Sequence, residues 1–85
     1  MNIGIVGLGL LGGSLAKAFK EANRQNSYII ATDSCKKTLV QAKEEDVIDH
    51  YTSKIDSSFS SCAIIFICTP VAHIATAVKE LMPHI

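Results

Sequence analysis

All five glycines of this 85-residue chain lie within its first thirteen residues. Gly7, Gly9 and Gly12 form the pattern G-x-G-x-x-G, which is weak evidence by itself. Here the pattern follows an apolar run at residues 3–6, typical of a buried strand, and leads into apolar residues with helical spacing. The sequence therefore predicts a strand, a tight glycine turn and a helix in direct succession.

An acidic residue ends the next apolar run, residues 28–32. Asp33 stands 21 positions after Gly12. A strand, a glycine turn, a helix, a second strand and a terminal acid together make the fingerprint of a dinucleotide-binding unit. The alternative interpretation of the glycines is a tight strand–helix turn that binds no ligand.

The spacing of the glycines suits a bound pyrophosphate. Gly7 lets the chain turn sharply, Gly9 has no Cβ that would block a phosphate, and Gly12 lets the helix pack close to the strand. The first helical turn adds free N–H groups that favour an anion. We therefore expect the backbone of Leu10, Leu11 and Gly12 to contact the phosphates.

Asp33 also predicts which dinucleotide binds. Its carboxylate can accept hydrogen bonds from the adenosine ribose hydroxyls and repels a 2′-phosphate, so NAD is the expected cofactor. Ser34 is expected to contact the cofactor as well, and to cap a second helix. Lys36 and Lys37 argue mildly for NADP, because they could reach a phosphate.

The rest of the chain extends the same alternation of strands and helices. After a polar loop at residues 23–27, the pattern predicts a helix at 35–45, a brief third strand near 47–51, a loop at 52–61 anchored by Phe59, an apolar strand at 63–68, and a last helix ended by Pro83. Right-handed crossovers predict an α/β fold with a partial Rossmann-type parallel sheet in the order 3-2-1-4 and flanking helices.

Strand order predicts where a ligand binds. The winding of the chain reverses between strands 1 and 4, and the crevice opens at their carboxyl ends. Thr69 and Pro70 end the fourth strand there, so we expect both to neighbour the cofactor. A proline that simply ends a strand is an equally good interpretation.

Composition excludes several other classes of protein. Eight basic and eight acidic residues leave no net charge, and the absence of a basic stripe argues against nucleic acid or an anionic membrane. The apolar N-terminus lacks the basic n-region of a signal peptide, which predicts a cytoplasmic protein. Three cysteines without C-x-x-C spacing argue against a disulfide framework and a metal site.

Residues 7–16, with the sequence G-L-G-L-L-G-G-S-L-A, resemble the glycine loop of the prephenate and arogenate dehydrogenases of tyrosine biosynthesis. The doubled glycine followed by Ser14 makes this match more specific than the bare fingerprint. Residues 47–49 and 64–71 are similar to further segments of the family. The chain departs from the family pattern at Asp46, commonly a glycine, and at Ala63, commonly an acid.

The resemblance implies an NAD-dependent oxidative decarboxylation of prephenate or arogenate by a homodimer. It also implies that residues 1–85 are the N-terminal part of the NAD-binding domain, followed in the family by a helical catalytic and dimerisation domain. The family's catalytic motifs match nothing in this chain, so no catalytic role is assigned to its histidines. The chain alone is expected to be inactive, to bind NAD weakly, and to self-associate through its fourth strand.

Two other functions remain open from the sequence. The first is the nucleotide domain of another dehydrogenase, of the hydroxyacid dehydrogenase or imine reductase type, against which the Gly13-Ser14 pair argues. The second is an NAD-binding module without enzymatic activity. The fourth strand argues against it, because an apolar strand of this kind is typical of the interior of a larger sheet.

Overall fold

The structure, a computed structural model, describes residues 1–23 and 26–85. Strands and helices alternate along the chain: β1 (Asn2–Val6), α1 (Leu10–Asn23), β2 (Tyr28–Thr32), α2 (Lys36–Glu44), β3 (His50–Thr52), β4 (Ile64–Ile67) and α3 (Val71–Leu81). Two short 3₁₀ helices lie at Ser57–Ser61 and Met82–His84. Arg24 and Gln25, in the predicted polar loop, lie outside the described residues.

The four strands form one parallel sheet in the order β3-β2-β1-β4. This confirms the predicted Rossmann-type order. In the register, Val6 pairs with both Thr32 and Ile67, and Thr32 pairs with Thr52. The carboxyl ends of all four strands therefore meet at one edge of the sheet.

The core has two layers because alternate side chains of a strand point to opposite faces of the sheet. One face buries Ile3, Ile5 and Ile29 under α1 and α2. The other face buries Val6, Ile30, Phe59, Ala77 and Leu81. Phe59 is fully buried, so its predicted role as the anchor of the 52–61 loop is confirmed.

The second helix starts differently from the prediction. Its N-cap is Cys35, not Ser34, and the cap makes no side-chain hydrogen bond. The Asp33 carboxylate accepts the Cys35 N–H at 2.8 Å. This hydrogen bond stabilises Cys35 at the start of the helix, so the N-cap is one residue later than predicted. Just after the other end of the helix, Asp46 adopts a left-handed φ of 59°, a conformation that commonly terminates helices.

The last helix buries less of its apolar stripe than its periodicity predicts. Ala77 and Leu81 pack into the core, whereas Ile74 and Val78 are 37% and 40% exposed. β4 is the end strand of the sheet, so part of the inward face of α3 has no layer opposite it. None of the helices in the described residues is long and apolar enough to cross a membrane.

Candidate nucleotide-binding site

Gly7 lies where the carboxyl ends of β1, β2 and β4 meet. Its N–H donates to the Thr32 carbonyl at 2.8 Å, and its φ is +93°. A Cβ at this position would lie 3.0 Å from the backbone of Cys68 and Thr69. Both the backbone conformation and the close approach of β4 therefore require glycine here.

The other two glycines of the fingerprint have opposite surroundings. A Cβ on Gly12 would lie 2.1 Å from the Gly7 carbonyl oxygen, whereas a Cβ on Gly9 would meet nothing within 4 Å. Gly12 thus lets α1 start in contact with the turn. Gly9 instead borders open space, and it lines a cavity together with Asp33 and Thr69.

The Asp33 carboxylate faces the glycine turn. Its Oδ2 accepts the Leu8 N–H at 2.6 Å, and its Oδ1 accepts the Cys35 N–H at 2.8 Å. A carboxylate offers about four lone-pair positions, so these two bonds leave capacity for the hydroxyls of a ligand. Asp33 therefore ties the two loops together while still lining the cavity.

The N-terminus of α1 is open to an anion. Leu10 and Leu11 are 95% and 65% exposed, and no acidic residue lies in the first turn. The first N–H groups of a helix have no intrahelical partner, and its dipole places partial positive charge there. A phosphate near Gly9 would lie against these groups.

The cavity that Gly9 and Asp33 line has a volume of about 750 Å³. It is lined by six of the nine residues predicted to bind a cofactor: Gly7, Gly9, Asp33, Ser34, Thr69 and Pro70. Leu10, Leu11 and Gly12 do not line it; a role for them rests on their backbone N–H groups. The Thr69 Oγ1 atom is buried and has no hydrogen-bond partner in the described residues, which leaves a polar group beside the cavity for a ligand.

Sequence reasoning missed two sets of lining residues. Ser53, Lys54 and Ile55 follow β3, and the other set lies on α3: His73, Thr76, Ala77 and Glu80. The second set has the spacing i, i+3, i+4, i+7 of one helix face, a signal that could have been found once the helix was placed beside the crevice. His73 is exposed, and it also lines the cavity.

The cysteines differ in the direction of their pKa shifts. Burial raises the pKa of both Cys62 and Cys68. The exposed Cys35 has a lowered pKa, chiefly because it is hydrogen-bonded to the Thr38 side chain and backbone, with smaller opposing effects of burial and of the Asp33 charge. Cys68 also lines the cavity. The described residues contain no cluster of groups that could hold a metal ion.

The parallel sheet has the strand order of a nucleotide-binding fold of the dehydrogenase type. The glycine turn, the helix N-terminus and the acid at one edge of the sheet are also typical of this fold. Residues 2–85 match the model of a family described as NADP oxidoreductase, coenzyme F420-dependent. The chain belongs to this family.

Comparison with individual proteins also confirms the resemblance to prephenate and arogenate dehydrogenases. Prephenate dehydrogenase of Bacillus subtilis is 35% identical over 91% of this chain, which spans 20% of that protein. The crystal structure of Synechocystis arogenate dehydrogenase is 36% identical, with a TM-score of 0.87 over 99% of this chain and 29% of its own. Prephenate dehydrogenase of A. aeolicus, solved with hydroxyphenyl propionate and NAD⁺, has the same TM-score at 24% identity over all of this chain and 30% of its own, which shows a shared fold.

Proposed function

We propose that this chain is the NAD-binding part of a dehydrogenase that oxidatively decarboxylates prephenate or arogenate. The observation that carries the proposal is the position of Asp33. Its carboxylate accepts the Leu8 N–H of the glycine turn at 2.6 Å, and it lines the same cavity as Gly9. The acid would bind the ribose of an adenosine diphosphate group, and the glycine backbone beside it would bind the pyrophosphate.

The described residues fit NAD in three places. Asp33, with Ser34 beside it, would accept the hydroxyls of the adenosine ribose. The pyrophosphate would lie at Gly9 and the N–H groups of Leu10, Leu11 and Gly12, where the helix dipole favours it. The third place is the crevice between β1 and β4, where Thr69 and Pro70 would flank the cofactor and the unpartnered Thr69 hydroxyl would gain a hydrogen bond.

The chain's own contribution to the reaction is to bind and orient. Bound NAD supplies a hydride acceptor. Oxidative decarboxylation also requires an acceptor for the substrate hydroxyl proton and cations for its carboxylates. The chain spans less than a third of the length of its relatives, so we propose that residues outside it supply these groups.

The choice of NAD rests on charge. The family description names NADP, whereas the Asp33 carboxylate would repel a phosphate on the ribose 2′-oxygen. The names of two similar dehydrogenases support prephenate or arogenate as the small-molecule substrate. We further propose a homodimeric whole protein, by resemblance. The three free thiols of this chain support a reducing, cytoplasmic location.

Binding of NAD to the purified chain tests the cofactor assignment. In calorimetric titration we expect NAD and ADP-ribose to bind with similar affinity, because the described site contacts the adenosine and pyrophosphate end. Gly9→Ala should weaken binding about tenfold or more, which corresponds to about 1.4 kcal/mol, because its methyl group occupies the open space beside the cavity.

Gly13→Ala is the matched control. A Cβ there makes only an ordinary contact with the Leu8 carbonyl at 3.7 Å, and Gly13 does not line the cavity. This variant should bind NAD as the unaltered chain does. Equal binding by all three proteins, or no binding of NAD or NADP by any of them, would contradict the proposal. Turnover of prephenate by the 85-residue chain alone would contradict the proposal that residues outside this chain supply the catalytic groups.

A further inference from the structure

Two side chains of opposite charge lie on different walls of the cavity beside the glycine turn. Lys54 belongs to the segment after β3, and Glu80 belongs to the last turn of α3; both line the cavity and both are exposed. Neither side chain forms an ion pair or a hydrogen bond with another group among residues 1–23 and 26–85. Both charges are therefore free to form a new contact.

Apolar packing brings these two walls together. Ile55, the neighbour of Lys54, packs against the buried cluster that contains Ala77, and both residues also line the cavity. Residues three apart share a helix face, so Glu80 lies on the same side of α3 as Ala77. Lys54 and Glu80 thus flank one apolar contact, which places their flexible side chains within reach of each other.

The backbone at Lys54 is held in place. The Thr32 hydroxyl donates to the Thr52 carbonyl at 2.8 Å, and the Thr52 hydroxyl donates to the Lys54 carbonyl at 2.6 Å. These two hydrogen bonds tie the segment after β3 to the carboxyl end of β2. The Lys54 side chain can therefore reach a new partner by a change of rotamer, without a movement of the loop.

A ligand in the cavity would change the stability of a Lys54–Glu80 ion pair. Between exposed side chains such a pair contributes little, because water screens the charges and both side chains lose conformational freedom. A nucleoside held at Asp33 would displace water from between the two walls, which strengthens the attraction. It would also offer an apolar surface to the aliphatic stem of the lysine. The pair is thus more stable when the cavity holds a nucleoside than when it holds water.

We propose that Lys54 and Glu80 form a strap over the nucleoside end of a bound dinucleotide. The strap is an ion pair that closes when the ligand occupies the cavity and opens for its release. Asp33 is the competing partner of Lys54 in this cavity, but its carboxylate already accepts the N–H groups of Leu8 and Cys35. This inference rests on the proposed function, because it needs a nucleotide in the cavity.

A double-mutant cycle on the binding of ADP-ribose to the full chain tests the strap. Lys54→Gln and Glu80→Gln should each weaken binding about threefold to fivefold, the upper range for an ion pair that is partly exposed. The double variant should lose little more than either single variant, because each substitution alone already breaks the pair. Separate contacts of the two side chains with the ligand would instead give losses that multiply.

Lys79→Gln and Glu21→Gln are the matched controls. They change the net charge by the same amounts at exposed positions that do not line the cavity, and ADP-ribose binding should be unchanged in both. Adenosine, titrated as a second ligand and followed by NMR, separates the strap from a contact with a phosphate. The loss caused by Lys54→Gln should be as large for adenosine as for ADP-ribose, because the strap covers the nucleoside.

The outcomes distinguish this inference from the proposed function. Losses that multiply in the double variant, equal losses in the control variants, or a Lys54→Gln loss confined to ADP-ribose would each overturn the strap and leave the cofactor assignment standing. Failure of the unaltered chain and of every variant to bind ADP-ribose would overturn both.

Discussion

Neighbouring glycines in this chain have different physical roles. Gly12 faces the Gly7 carbonyl so closely that a Cβ would overlap it at 2.1 Å, whereas Gly13 has room for one. The clash involves backbone on both sides, so α1 would have to move away from β1 to relieve it. Gly12 therefore determines how closely α1 packs on the sheet, whereas Gly13 affects only the conformational entropy of the backbone.

This difference predicts opposite effects on stability. Gly12→Ala should lower the free energy of unfolding by about 3 kcal/mol, at the upper end of overpacking effects. Gly13→Ala should leave it unchanged or raise it by about 0.5–1 kcal/mol, because alanine restricts the unfolded chain and favours the helix. Urea unfolding followed by circular dichroism measures both. A Gly12→Ala chain as stable as the Gly13→Ala chain would show that α1 does not pack as described.

Cys35 provides a second prediction at the residue scale. Its lowered pKa depends first on the Thr38 side chain, and a lower pKa means a larger thiolate fraction at a given pH. Thr38→Val should therefore raise the pKa of Cys35 and slow its alkylation near neutral pH by about two- to threefold, with the rate recovered at alkaline pH.

Iodoacetamide labelling with mass spectrometry measures the alkylation rate across pH. Cys62 and Cys68 are internal references, because burial raises the pKa of each; both should react more slowly than Cys35 in the unaltered chain. A pH profile of Cys35 unaffected by Thr38→Val would contradict the hydrogen-bond explanation.

At the scale of elements, Asp49 connects α1 with the start of β2. Its Oδ2 accepts the Lys20 ammonium at 2.5 Å and the Ile29 N–H at 2.7 Å. Its own N–H donates to the Ile29 carbonyl at 2.9 Å. The Lys20 side chain is only 10% exposed, so the pair orders the edge of the sheet opposite to the candidate site. These contacts give Asp49 a structural role.

The two members of this pair should not be equivalent. Asp49→Ala leaves the largely buried Lys20 charge without its carboxylate and should cost about 3 kcal/mol of unfolding free energy. Lys20→Met keeps the packed stem and leaves Asp49 bonded to Ile29, and should cost about 1 kcal/mol. Denaturant unfolding of both variants and of the double variant gives the coupling free energy between Lys20 and Asp49. Equal losses of unfolding free energy in the two single variants would contradict the expectation that an unpaired, buried Lys20 charge is the larger cost.

At the scale of the whole molecule, the sheet ends at β4. This strand pairs with β1 on one side, and no described strand lies on the other. Its residues Ile64–Ile67 carry no charge, and exposed apolar side chains of α3 lie nearby. An open, uncharged edge is a template for pairing with another chain.

We expect the 85-residue chain to self-associate at high concentration through this edge. Ile64→Lys should reduce association, because a charge at the edge opposes pairing. Tyr28→Lys is the matched control: Tyr28 is equally exposed, at 43% for each, and starts the interior strand β2. Light scattering over a concentration series measures the effect. A monodisperse monomer throughout the series, or equal suppression by both variants, would contradict this role for β4.

The sequence alone predicted the sheet order, the glycine turn and the position of Asp33, because each follows from local patterning: apolar periodicity, residues without a Cβ, and right-handed crossovers. The prediction of Ser34 as the helix cap was wrong. The N-cap is Cys35, whose N–H donates to the Asp33 carboxylate, and a contact of this kind is not visible in the local pattern.

The tertiary structure decided what the strands and helices place together. The residues of α3 and those after β3 that line the cavity are far in sequence from the glycine turn, which lines it too. Their proximity depends on how α3 and β3 pack on the sheet. Helical or strand periodicity reports which face of an element is apolar, but contacts between elements depend on crossing angles and side-chain packing, which a linear pattern does not contain.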